Sequence, residues 1–333
     1  MQPNAHPEAF EVASRPVRAG YLISIFAGLF GSLALFAGLL FGLQSTGHLP
    51  PPAFSNSLCA DEKLTFMRDH PVQSPNLLVV GSSVAWRHFD GETVADKRPG
   101  TRPLNGAFCG LHANQAVYVA NWLLDREASV REVVMIVDPQ DFAGCAAVPD
   151  AVFNRADADA YVYGHGSAWL PYMRYFSPSS LLRNARTVKA QRADLMEFDP
   201  LVFDRYGDGP LNTANSRGLL YGQPDPLDDA CFAALDTLAQ RLKREGRALT
   251  VVATPMHPQW KAEHDSQATL MNAFDQKLRA TLARSGSDYW NGDADHTLAA
   301  AAFIDAIHLR WSAARTFSAQ IATRLTPPIA TLP

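Results

Sequence analysis

Between Gly20 and Leu43 the chain runs for 24 residues, GYLISIFAGLFGSLALFAGLLFGL, without a charged side chain. A bilayer core offers no water to backbone N–H and C=O groups, so a segment of this kind crosses it as a helix. At the α-helical rise it spans ~36 Å, against roughly 30 Å of hydrocarbon. A cleaved signal peptide carries a shorter apolar region, of about 7–15 residues, that ends in a small-residue site. Here the run is longer, starts late and ends in Leu43-Gln44-Ser45-Thr46-Gly47-His48. The reading is an uncleaved transmembrane signal anchor over residues 20–43. Arg15 and Arg18 precede it, and no Lys or Arg follows until Lys63. The positive-inside rule then keeps residues 1–19 as a cytoplasmic tail and exports the rest. Residues 44–53, with His48-Leu49-Pro50-Pro51-Pro52, read as a stiff Pro-rich linker of polyproline character.

The exported part, residues 54–328, has the make-up of a folded domain. The whole chain is 47% hydrophobic and 19% charged, with a net charge of −4. Its six lysines are scattered, so nothing suggests a nucleic-acid surface. Cys59, Cys109, Cys145 and Cys231 lie in no Cys-x-x-Cys spacing, and no His-Glu-x-x-His run occurs. Neither a metal nor another cofactor is expected, and export permits disulfides.

Asn76-Leu77-Leu78-Val79-Val80-Gly81-Ser82-Ser83 organises this domain. An uninterrupted apolar run closed by a glycine reads as a buried strand of a parallel sheet. In open α/β sheets ligands bind beyond the carboxyl ends of the strands, where Ser82 and Ser83 fall. Far downstream, Phe303-Ile304-Asp305-Ala306-Ile307-His308-Leu309 precedes an Ala-rich, helix-compatible tail. An Asp three residues before a His can accept from one ring nitrogen, leaving the other to take a proton from a serine. Asp293-Ala294-Asp295-His296 has the same spacing and competes for the role.

Further strands are expected at Val133–Val137 and at Ala248–Thr254, with a short one before Asn105. Helices are expected over about 112–126, 177–198, 225–245 and 262–284, and after His308. A helix within 54–75 leads into the domain. His257, just beyond a strand end, reads as a turn histidine within reach of the site. Residues 143–225 show no strand–helix alternation and read as an insertion over the catalytic face, a lid or acceptor platform. Its Tyr161–Phe176 stretch is rich in aromatics, suited to a core or to stacking on sugar rings.

A serine after the first strand and Asp-x-x-His before the last helix resemble the SGNH (GDSL-like) hydrolase superfamily. The resemblance covers most of residues 76–325. It implies a three-layer α/β/α sandwich with a mostly parallel sheet. Gly81-Ser82-Ser83 matches that family's Gly-Asp-Ser block, with Ser82 in place of Asp, and makes Ser83 the nucleophile. Family order makes Asp305 and His308 its partners rather than Asp293 and His296. Asn105-Gly106-Ala107-Phe108-Cys109-Gly110 is similar to the second block, whose glycine offers an N–H to the oxyanion. Gly110 matches it best, with Gly106 the alternative. Asp138-Pro139-Gln140-Asp141 falls where the family has Gly-x-Asn-Asp, so Gln140 stands where an Asn side chain is the third oxyanion donor after the Ser83 and Gly110 N–H groups.

What the resemblance implies for function is an acyl-enzyme on Ser83. The favoured outcome is O-acetyl transfer to a cell-envelope or exported polysaccharide, by a single-pass protein of the bacterial inner membrane with its catalytic domain in the periplasm. The acyl donor would be relayed by a multi-spanning membrane acyltransferase. A carbohydrate or lipid esterase, and a non-catalytic scaffold of a polysaccharide-export complex, are the alternatives. In this family the loops carrying Cys109 and Cys145 meet on the catalytic face, which implies a Cys109–Cys145 disulfide, Cys59 and Cys231 being the other candidate partners.

Overall fold

The computed structural model describes residues 19–325 apart from 56, 165, 195, 223, 224, 296 and 297. The chain divides at Leu49/Pro50 into two compact units. The first contains α1, Ala19–Ser45, a helix long and apolar enough to cross a membrane. It presents large apolar side chains such as Ile23, Phe30, Leu35 and Phe41 to its surroundings.

The second unit is an α/β domain. Its elements begin with α2 (Leu58–Asp69), β1 (Leu77–Gly81), α3 (Ser83–His88), α4 (Gly91–Lys97), β2 (Pro103–Asn105), α5 (Ala113–Arg126) and β3 (Glu132–Val137). Three helices without a sheet strand follow, α6 (Arg155–Val162), α7 (Leu170–Arg174) and α8 (Pro178–Ala193). The remainder is α9 (Asp229–Arg244), β4 (Ala248–Ala253), α10 (Pro258–His264), α11 (Thr269–Ala283), β5 (Asp288–Asn291), α12 (Gly292–Asp295) and α13 (Trp311–Arg324).

The five strands form one all-parallel sheet in the order β2-β1-β3-β4-β5. Chain direction across the sheet reverses at β1/β3, the switch point at which open α/β sheets leave a crevice beyond the strand ends. Strand residues alternate between two cores. Leu78, Val80, Val133, Met135 and Val251 pack with α5, α9 and α11. Leu77, Val79, Val134, Ile136 and Val252 pack with α3 and α13. Burial on both faces explains why these strands read as continuous apolar runs.

Gly81 ends β1 with φ +140, a conformation rarely open to other residues. A Cβ there would lie 2.4 Å from the Ile136 carbonyl oxygen on β3. The glycine therefore lets β1 lie against β3 and turn at once into α3. Ser82 caps that helix, its hydroxyl accepting from the Val84 N–H at 3.4 Å.

Several expected elements differ in detail. The helix expected over 262–284 is two, because the Asp265 carboxylate accepts from the Leu270 and Met271 N–H groups, both at 2.9 Å, and starts α11 afresh. Asp228 rather than Asp225 caps α9, accepting from Ala230 N–H at 2.9 Å. β5, Asp288–Asn291, is not among the expected strands.

The expected Cys109–Cys145 bond is not formed. Cys59 pairs with Cys109, and Cys145 pairs with Cys231, with Cα separations of 6.2 and 5.3 Å. The loop after β2 is thus tied to the start of α2, and the loop after β3 to the start of α9. Each loop is anchored to the helix packed beside it instead of to the other loop.

Candidate active site

The carboxyl ends of β1 and β3 open into a cavity of about 520 Å³, within the usual range for small-ligand sites. Ser83 and His308 both line it. His308 Nε2 lies 2.9 Å from Ser83 Oγ, and its Nδ1 lies 2.9 and 3.0 Å from the two Asp305 oxygens. A carboxylate only accepts, so Nδ1 carries the hydrogen and Nε2 presents a lone pair to the serine O–H.

The Asp305–His308 loop is held by its own backbone. Asp305 Oδ1 accepts from the Ile307 N–H at 3.0 Å and the His308 N–H at 2.7 Å. Ile304 N–H donates to the His308 carbonyl at 2.8 Å, and Phe303 bridges Leu309. Burial alone would raise the Asp305 carboxyl, but His308 and the two N–H groups outweigh it and bring it down to about 2. Asp305 is therefore ionised throughout the neutral range.

Two residues that the sequence does not single out complete this support. Arg217 reaches Asp305 Oδ2 at 3.4 Å and also donates to the Phe198 carbonyl, linking the carboxylate to the segment after α8. His88, fully buried, accepts the Leu309 N–H on Nε2 at 2.8 Å and so donates from Nδ1 to Thr254 Oγ1 at 2.7 Å. Burial, and then the charge on neighbouring His308, push its pKa well below the ordinary value, which keeps it neutral. Both lie far from the serine in sequence or look like core residues, and no local pattern marks them.

Ser82 is engaged elsewhere. Its hydroxyl caps α3 and lies on the side of the Asp141 carboxyl, whose charged form it favours. Ser83, the first residue of α3, carries one of the helix's N–H groups that has no partner within the helix. Gly110 lines the same cavity, at φ +68 in a loop tethered by Phe108 N–H to the Gly81 carbonyl at 3.3 Å. Gly106 instead donates its N–H to the Val79 carbonyl at 2.8 Å, which leaves Gly110 as the glycine with a place at the cavity. Gln140 also lines it, with Nε2 donating to the Tyr221 carbonyl at 2.9 Å. One of its two amide hydrogens is used there and one remains. His112, on the cavity wall, gives its Nδ1 hydrogen to the Ala143 carbonyl at 2.6 Å and keeps Nε2 as an acceptor.

Asp138 and Asp141 form a buried carboxyl pair on the β3 side of the cavity. Asp138 Oδ1 accepts from the Gln140 and Asp141 N–H groups at 2.7 and 3.1 Å. Burial pushes Asp138 up to about 6, and burial together with facing Asp138 holds Asp141 well above the usual carboxyl range.

The segment after α8 supplies Phe198, Asp199, Arg217 and Tyr221 to the cavity. The Tyr161–Phe176 aromatics do not line it among the described residues; Tyr161 is buried on Phe54, while Trp169 and Phe176 are exposed. His257 caps α10, accepting from the Gln259 N–H at 3.1 Å, and is a turn residue. Asp293 of the competing pair accepts from the Met256 N–H and from Lys261, both at 2.8 Å, and His296 lies outside the described residues.

Among the described residues one carboxylate group, Asp90, Asp204 and Asp208, is close enough together to hold a cation. Its oxygens already accept from Thr93, Gly91, Asn105 and the Asp208 N–H. Buried Lys63, bonded to the Gly207 carbonyl, faces Asp204 and Asp208. The group is self-contained and lies outside the cavity lining.

A scan against protein-family models returns no match to this chain, and a search of curated proteins returns none either.

Proposed function

We propose that this chain is a membrane-anchored, exported serine acyltransferase of the SGNH (GDSL-like) kind, and that it transfers an acyl group, most simply acetyl, to a hydroxyl of a cell-envelope or exported polysaccharide. The observation that carries the proposal is the unbroken chain from Ser83 Oγ through His308 to Asp305, opening on a cavity at the switch point of a parallel sheet. The two apolar cores, one on each side of that sheet, support the three-layer α/β/α arrangement expected of such enzymes. Two disulfides suit an oxidising compartment and so support a periplasmic domain behind an anchor in the inner membrane.

In the proposed reaction the Ser83 oxygen attacks the acyl carbonyl while His308 Nε2 takes its proton. The tetrahedral oxyanion is met by the N–H groups of Ser83 and Gly110 and by the remaining amide hydrogen of Gln140. His308 returns the proton to the leaving oxygen, which departs and leaves the acyl group esterified to Ser83. An acceptor hydroxyl then gives its proton to His308 and attacks the acyl carbon. Collapse releases the new ester, and the proton returns to Ser83. Asp305 stays ionised and stabilises the imidazolium in both halves. The donor is supplied by a multi-spanning membrane acyltransferase.

With water as acceptor the same steps make an esterase, the second reading. Competition separates the two. With an activated acetyl ester as donor and a panel of oligosaccharides present, acetyl should appear on a saccharide more often than water's molar excess allows, because a bound hydroxyl has a far higher effective concentration. Brisk hydrolysis with no acetylated saccharide replaces the transferase by the esterase. An inert triad in both assays leaves the scaffold reading.

A further inference from the structure

The corner joining α7 to α8 carries several large exposed apolar side chains. Trp169, Leu170 and Met173 are 40, 63 and 54% exposed, and Leu182, one turn into α8, is 61% exposed. Along α8, Leu181, Ala185 and Val188 face inward. The neighbouring stripe Leu182, Arg186 and Lys189, with Arg183 beside it, is exposed. This is the spacing of an amphipathic helix whose outer face is basic. The helix contains no Asp or Glu. Among the described residues no carboxylate pairs with Arg183, Arg186 or Lys189, whereas Arg174 and Arg192 are taken by Asp157 and Glu62. Exposed aromatic and aliphatic groups beside unneutralised cations are the composition of a helix lying in a bilayer interface.

A short tether joins this corner to the apolar helix. The Tyr172 hydroxyl, on α7, donates to the Pro50 carbonyl at 2.7 Å. Pro50 lies five positions after Ser45, the last residue of α1. A fully extended chain of that length reaches only ~17 Å, so the tether between the apolar helix and the point that α7 holds is short.

We propose that the α7–α8 corner docks on the anionic headgroup surface of the membrane that α1 spans, with Trp169, Leu170, Met173 and Leu182 entering the interface and Arg183, Arg186 and Lys189 meeting lipid phosphates. This rests on the reading of α1 as an anchor. Since the chain runs from α8 directly to Phe198 and Asp199 on the cavity wall, docking sets the orientation of the cavity to the membrane from which a donor arrives.

The test uses the full-length protein in nanodiscs whose acyl chains are brominated, a quencher confined to the bilayer. The difference in emission between wild type and Trp169→Phe isolates Trp169. In discs rich in phosphatidylglycerol its emission should fall ~2-fold or more relative to unbrominated discs. The quenching should shrink in discs of phosphatidylcholine alone, in high salt, and in Arg183→Glu/Arg186→Glu/Lys189→Glu. Labelling of Ser83 by a serine-reactive probe should be the same in all variants, which shows that they fold. Equal emission in brominated and unbrominated anionic discs overturns the docking, as does quenching indifferent to lipid charge and salt. A protein that the discs do not retain overturns the anchor instead, a failure read separately by co-elution with the discs.

Discussion

His308 Nε2 and Ser83 Oγ lie 2.9 Å apart across 225 positions of sequence. The serine sits at the first turn of α3, immediately after β1, and the histidine sits in a loop pinned by its own aspartate, so both atoms are placed by backbone rather than by mobile side chains. That arrangement makes the following expectations sharp.

A fluorophosphonate probe should label the protein at Ser83. Ser83→Ala should lower turnover of an activated ester ~10³-fold or more with little change in Tm. Ser82→Ala loses a helix cap and should cost about 1 kcal/mol of stability while remaining labelled. Labelling lost in Ser82→Ala and kept in Ser83→Ala would reverse the assignment.

The Asp138 carboxyl gives a signed pH dependence. Its folded value of about 6 lies above an unfolded carboxyl's ~3.9. Between those values the folded chain binds more protons than the unfolded one, so stability falls as pH rises and the full cost is present above about 6. Asn at 138 keeps an oxygen for the Gln140 and Asp141 N–H groups and carries no charge. Asp138→Asn should be more stable than wild type at pH 8, by about 1–3 kcal/mol, and the gap should close near pH 4. A gap in urea midpoint that does not narrow on acidification contradicts this. Asp305 acts in the opposite sense, since its stabilisation is present above ~3.9 and is lost as pH falls through about 2.

The sequence reaches some of this architecture and misses the rest for identifiable reasons. β1, β3 and β4 are visible because strands buried on both faces are uninterrupted apolar runs. β5, Asp288–Asn291, is an edge strand that is only partly buried, so it lacks the uninterrupted apolar run that marks the others. Asp305 and His308 stand three residues apart, a local pattern, whereas Arg217 and His88 reach the same loop only through folding. The cysteine pairing depends on which helix each loop meets: α2 lies beside the Cys109 loop and α9 beside the Cys145 loop, and neither packing is written in Cys spacing.

Peptide mapping of the oxidised protein under non-reducing conditions should recover Cys59 joined to Cys109 and Cys145 joined to Cys231. Closing loops of 50 and 86 residues contributes about 4–5 kcal/mol each by chain entropy. Replacing either pair by serines should therefore lower the urea midpoint substantially. A Cys109–Cys145 peptide contradicts the packing described.

Gly81→Ala should damage the fold and the site together. The added Cβ meets both the Ile136 carbonyl and Ala85, and the backbone there is at φ +140. A loss of about 3 kcal/mol or more is expected, with chemical denaturation as the measure. An unchanged midpoint would mean that β1 and β3 do not approach as described.

The central claim is covalent catalysis at Ser83, and intact-protein mass spectrometry with peptide mapping after rapid quenching from an activated acetyl ester tests it most directly. The account predicts one added acetyl group on the peptide carrying Ser83, none in Ser83→Ala, and accumulation when no acceptor is supplied. An acetyl group on Ser82 or any other residue, or ester turnover that survives Ser83→Ala, contradicts it.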